Sequence, residues 1–278
     1  MRAIAEFVMR SRMNAVLLTL VGIPLGCPAA LALVGLRRGS GDGLFVLALA
    51  LMPVVAAASV GYLSPLVSGL LITQLVALLI GALVLRATRS WNLALVALMI
   101  GVTVGTVISS RVSGGILESL LDTFERVFGI DPEQMREQSF GEMQAIGYQT
   151  WGLLVSSTLM LLLARWWQAL LYNPGGLRDE MYPLRTPFLL AGAGMLVWVY
   201  CLVNEHLMFW GMIAAFPMVV AGICLIHWLV AQRGWGRGPL IAMYVMLVIA
   251  TPAIVGFLCG LALIDSWIDI RARSSNNR

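Results

Sequence analysis

The chain has 278 residues, 60% of them hydrophobic and only 12% charged, with a formal net charge of +4. A soluble domain carries roughly 25% charged and 45–50% apolar residues, so this composition excludes one and defines a multi-pass membrane protein in contact with the lipid bilayer. The positive balance rests on arginine alone, and the arginines are scattered between apolar runs instead of forming one basic stripe, so no nucleic-acid partner is indicated.

Apolar runs approaching the ~20 residues that cross a ~30 Å hydrocarbon core occupy 14–36, 44–61, 65–85, 91–110, 150–164, 187–203, 207–231 and 240–264. The first contains "VGIPLGCPAALALVGLRR", with Pro24 and Pro28 beside Gly22 and Gly26. Proline breaks helical hydrogen bonding, and a break at membrane depth is tolerated only inside protein or against a watery cavity. Residues 14–36 therefore read as one kinked span or a re-entrant pair of half-helices. Cys27 sits in a stretch with the look of a lipoprotein signal, but Pro24 stands where such a signal needs an aliphatic residue. Cys27, Cys201, Cys224 and Cys259 show no C-x-x-C spacing and read as small core residues.

Arginine placement chooses between the two readings. If the first run re-enters, Arg2, Arg10, Arg12, Arg37, Arg38, Arg86, Arg89, Arg165, Arg178, Arg185, Arg233 and Arg237 share one side. Arg111, Arg126, Arg136, Arg271, Arg273 and Arg278 then lie opposite, a split of 12 to 6; if every run crosses once, the split is 9 to 9. The positive-inside rule favours the first. The expected fold is an all-α polytopic transmembrane helix bundle, a single membrane domain over 1–278 with about seven spans plus a broken or re-entrant N-terminal segment, its N-terminus cytoplasmic.

This topology puts 111–149 outside the cytoplasm, where Glu118, Asp122, Glu125, Asp131, Glu133, Glu137 and Glu142 outnumber three arginines. Ile116, Leu117, Leu120, Leu121, Phe124, Val127 and Phe128 recur at three- and four-residue spacing, predicting an amphipathic helix that covers the mouth of the bundle. Asp131-Pro132 predicts the start of a second, short helix. Segment 165–186 becomes a cytoplasmic loop with Trp166, Trp167, Tyr172 and Tyr182 suited to headgroup level, and Thr186-Pro187 reads as a cap for the next helix. Asn204 to His206 reads as a tight turn, because two crossings use nearly all of 187–231.

No nucleophile, metal-protease, phosphate-loop or dinucleotide motif is present, so no enzyme, cofactor or metal is expected. A ligand pocket would need polar groups facing a cavity between helices. The candidates are Gln74, Thr103, Thr106, Ser156 and Ser157 within the spans, and Glu205 beside His206; in spans such hydroxyls also serve helix packing. The loop "YNPGGLRDEMYPLRTP" places Arg178, Asp179, Glu180 and Arg185 between glycine and proline fences. It reads as a positive-inside anchor or as a docking surface for a membrane or cytoplasmic protein partner. Gly101 with Gly105, and Gly256 with Gly260, are spaced for close helix approach.

The stretches "MRAIAEFVMRSRMNAVLLTLVGIPLG" and "GGLRDEMYPLRTP", with the order of the runs, resemble the YybS-like family of bacterial inner-membrane proteins. That family is in turn similar to the substrate-binding membrane components of energy-coupling-factor transporters and to the cell-shape protein MreD. The resemblance implies the bacterial inner membrane, a compact bundle with an unusual first helix, and a transporter-like component that binds a small molecule. The alanine seam by which transporter components dock their motor is interrupted here, since Ala29 is followed four residues later by Leu33. The alternative function is a non-catalytic scaffold whose cytoplasmic loops hold a partner.

Overall fold

The computed structural model describes residues 1–21, 28–137 and 140–271, which form helices with no strand among them. Among the described residues, six helices are long and apolar enough to cross a membrane: Ser40–Ser59, Pro65–Thr88, Trp91–Ser113, Glu142–Tyr172, Phe216–Arg233 and Thr251–Ile268. Two shorter apolar helices, Phe188–Leu202 and Gly238–Ile249, join them. The protein is an integral, multi-pass membrane protein with an all-α architecture. The chain divides into two compact units, Met1–Gly175 and Gly176–Arg278.

The first unit contains α1 (Arg2–Arg10), α2 (Arg12–Val21), α3 (Ala29–Arg38), α4 (Ser40–Ser59), α5 (Pro65–Thr88), α6 (Trp91–Ser113), α7 (Leu117–Phe128), α8 (Pro132–Glu137) and α9 (Glu142–Tyr172). Helix α3 is its centre: Ala29 through Leu36 are all buried, and α9, α5, α4 and α2 pack around it. Arg12 pairs with Asp42 at 2.7 Å, and Arg38 donates to the Met9 carbonyl. Residues 9–12 and 38–42 thus lie together, so the chain leaves one end of the unit through α2 and returns to it through α3, as the re-entrant reading requires. Pro24, Gly22, Gly26 and Cys27 lie outside the described residues.

Arg86 joins the same end, donating to the Leu36 carbonyl at 3.2 Å, and the Arg37 guanidinium lies 4.1 Å from the Tyr172 ring centroid. At ~1.5 Å per residue, the 24 residues of α5 carry the chain ~36 Å from the opposite end. Helices α5 and α6 form a hairpin with a seam of small residues. A Cβ on Gly81 would sit 2.7 Å from Leu98 Cγ, one on Gly69 would sit 2.7 Å from Ser109 Oγ, and Gly101 meets Ala77 while Gly105 meets Thr73. The absent side chains let the two backbones approach.

The opposite end is acidic. The 116–128 stripe forms α7, which buries Leu120, Leu121 and Phe124, with the Phe124 ring edge-on to Tyr148 of α9 at 5.2 Å. Val127 and Phe128, in the same stripe, are each 65% exposed. Glu133 N–H donates to Asp131 Oδ1 at 2.9 Å and opens α8. Helix α9 begins eight residues before the predicted run, because its first turns carry polar Glu142 and Gln144, and Gln144 is nevertheless buried.

The second unit contains α10 (Gly176–Met181), α11 (Phe188–Leu202), a 3₁₀ turn (Glu205–Leu207), α12 (Met208–Ala214), α13 (Phe216–Arg233), α14 (Gly238–Ile249) and α15 (Thr251–Ile268). The turn predicted at Asn204 is present: Asn204 N–H donates to Cys201 and Leu207 N–H to Asn204. Helices α11 and α15 are antiparallel, with Phe188 stacked on Trp267 at 5.8 Å and Trp198 against Gly256. Gly222 brings α13 against α15, and a Cβ there would meet the Leu258 carbonyl oxygen at 2.6 Å.

Three expectations are corrected here. The run 240–264 is two helices, because Pro252 lacks the N–H that would continue the ladder and Ala250 turns out of it at φ −132°, ψ 50°. Thr186 does not cap α11; its buried hydroxyl donates to the Pro217 carbonyl instead. Arg271 lies on the same side as Arg185, not opposite it, because both approach Asp265 to 3.6 Å at the end of α15.

Candidate functional site

A cleft of about 470 Å³ opens at the acidic end of the first unit, lined by the start of α5, the end of α6 and the start of α7. Ser64, Ser113 and Ser119 offer hydroxyls to it, Gly114 and Gly115 bare backbone, and Glu118 and Glu142 carboxylates. Ser64 is fixed as the cap of α5, accepting from Val67 N–H at 3.2 Å. The glycine pair ends α6 with Gly114 at φ 84° and Gly115 at φ 128°, backbone that L side chains rarely adopt. The chain can therefore double back into α7, whose start lines the cleft with the start of α5 and the end of α6.

Glu142 holds this geometry. Its Oε1 accepts from Ser110 Oγ at 2.7 Å and from Ile116 N–H at 2.8 Å, and its Oε2 accepts from Leu117 N–H at 2.9 Å. One carboxylate thus ties α6 to α9 and satisfies the N-terminal donors of α7, where negative charge is favoured by the helix dipole. In the sequence Glu142 stands only as one of the acids of the cover. The signal that marks it is a carboxylate opening an apolar helix downstream of a Gly-Gly break. Glu118, on the rim, chelates Arg136 through 2.9 and 2.7 Å bonds, and Arg136 also reaches Glu133 at 2.6 Å. These contacts, led by Glu118, raise Arg136 above its ordinary pKa.

The predicted ligand-binding residues of the spans lie in the bundle and are not part of the cleft lining. Gln74 Nε2 donates to Ser156 Oγ at 2.9 Å, joining α5 to α9. Thr73 meets Ser109 at 3.4 Å between α5 and α6. Thr103 is half-buried, while Thr106 and Ser157 are fully buried and their hydroxyls have no partner among the described residues; Thr150 and Thr158 share that condition. Two side-chain hydrogen bonds thus cross from α5, one to α6 and one to α9. Glu205 belongs to the second unit, in the 3₁₀ turn after α11.

The loop residues divide. Arg178 and Asp179 are exposed on α10, with the Arg178 guanidinium 4.8 Å from the Tyr182 ring centroid. Glu180 is half-buried. Arg185 turns inward: Nη1 donates to Asp269 at 2.6 Å and Nη2 to the Asp265 carbonyl at 2.6 Å. Among the described residues no group of three or more His, Cys, Asp or Glu side chains is placed to hold a metal ion. Comparison with protein-family models, with curated proteins and with solved structures finds no match to this chain.

Proposed function

We propose that this is a non-catalytic, transporter-like membrane component that takes a small polar molecule into the cleft at the acidic end of its first unit. The observation that carries the reading is the cleft itself. Its volume of about 470 Å³ falls within the roughly 300–1,000 Å³ of small-molecule sites, and it is walled by hydroxyls, open backbone and two carboxylates. That lining suits a ligand rich in hydroxyl or amino groups. Within the same unit, the Gln74–Ser156 hydrogen bond between α5 and α9 and the buried hydroxyls of Thr106 and Ser157 supply polar groups to the bundle.

Orientation follows from charge. The end that gathers Arg12, Arg37, Arg38 and Arg86 is the cytoplasmic one under the positive-inside rule, and the cleft faces outward. The resemblance to the YybS-like family supports the bacterial inner membrane. A second reading, a scaffold with no ligand of its own, rests on the exposed Arg178 and Asp179 of α10, which offer paired charges to a protein partner.

The test is mass spectrometry of small molecules retained by the full-length protein purified in mild detergent, compared with Ser113→Trp and Ser119→Trp, which fill the cleft. The reading expects one compound held by the wild type and lost from both variants. A wild type that holds no compound the tryptophans displace, while a protein partner is lost on Asp179→Arg, supports the scaffold instead.

A further inference from the structure

Arg271, just beyond α15 in the second unit, is a cation with a nearly buried side chain and an unused edge. Its side chain is 9% exposed. Nη1 donates to the Leu184 carbonyl at 2.6 Å and stands 3.6 Å from Asp265 Oδ2. Nε and Nη2 have no hydrogen-bond partner among the described residues. These two nitrogens carry the parallel N–H bonds along one edge of a guanidinium, the fork that grips a carboxylate or phosphate with two bonds.

The neighbouring acids are already engaged. Asp269 accepts from Arg185 at 2.6 Å, and Asp265 accepts from Ile270 N–H at 3.1 Å while lying 3.6 Å from Arg185 Nε. Leaving charged donors buried without acceptors is costly, and burial lowers Arg271 from its ordinary pKa. Trp267, four residues earlier on α15, is 74% exposed and stacks on Phe188. Exposed tryptophan at the end of an apolar helix marks headgroup depth, where the abundant oxyanion is phosphate.

We infer that the Nε–Nη2 edge of Arg271 is a phosphate-binding fork, filled by a phospholipid headgroup or by a soluble phosphate. Full-length protein in detergent, stripped of lipid, is tested with radiolabelled orthophosphate by equilibrium dialysis. In parallel it is tested by native mass spectrometry after exposure to vesicles of phosphatidylglycerol and a phosphate-free galactolipid. Saturable one-to-one binding of orthophosphate supports a soluble source, and selective retention of one phosphatidylglycerol supports a headgroup. Arg271→Lys keeps the charge but loses the fork, so it should weaken whichever probe binds roughly tenfold, whereas Arg178→Lys should not. A measurement on the wild type alone, ¹⁵N–³¹P dipolar recoupling with labelled arginine and the bound probe, should show phosphorus within hydrogen-bonding range of a guanidinium. Binding of neither probe, equal binding by Arg271→Lys, or absence of any ¹⁵N–³¹P contact overturns the inference.

Discussion

Glu142 has three donors and no substitute. Replacing it with alanine leaves Ser110 Oγ, Ile116 N–H and Leu117 N–H without their acceptor, and each unsatisfied buried group costs about 1–3 kcal/mol. Glu142→Ala should therefore lower the thermal midpoint in detergent well below that of Glu142→Gln, which keeps one acceptor oxygen. Equal midpoints for the two variants would mean that the carboxylate does not hold α7. Two glycines in close and open surroundings should respond in opposite ways to an added methyl. Gly222→Ala places a methyl against a backbone carbonyl that has no rotamer to change, and overpacking of this kind costs about 1–3 kcal/mol. A methyl on Gly152 would meet nothing within 4 Å, so Gly152→Ala should be neutral or stabilising by up to ~1 kcal/mol; matched unfolding curves check both. Spacing alone does not rank the glycines: Gly101, Gly105 and Gly256 meet neighbours, but Gly260, four residues from Gly256, faces open space.

Among the elements, α7 depends most on its neighbours. Leu120, Leu121 and Phe124 are buried on the bundle, and each is worth about 1.5–3 kcal/mol of burial. The triple change to serine should lower the thermal midpoint and free the 111–141 segment to limited proteolysis, and an unaltered proteolysis pattern would contradict the packing. The period of this helix is readable in the sequence because apolar residues recur on one face. Its unused edge, Val127 and Phe128, is not, since periodicity does not say where the covered surface ends. Hydropathy similarly marks α4, α5 and α6 but misses the first turns of α9, where Gln144 is a polar residue buried by tertiary structure. The break before Pro252 is signalled by the proline itself, yet a hydropathy run averages over it. The cleft is not legible in the sequence at all: residues that end helices make it, whereas intramembrane polarity points to hydroxyls in the middle of spans.

This is an integral membrane protein, and the orientation proposed for it puts the arginine-rich end in the cytoplasm and opens the cleft to the other side. The distribution of arginines along the sequence points to this sidedness, and in the first unit it agrees with the clustering of Arg12, Arg37, Arg38 and Arg86 at one end. In the second unit the same distribution misleads, because three apolar runs read as three crossings separate Arg185 from Arg271. The most direct measurement is labelling of single cysteines by an impermeant maleimide on intact cells, with the native cysteines replaced. Ser119→Cys in the cleft and Gln134→Cys on α8, both exposed, should react at once. Arg89→Cys, at the far end of α5, should react only after the membrane is permeabilised. Labelling of position 89 on intact cells, with positions 119 and 134 protected, would contradict this orientation.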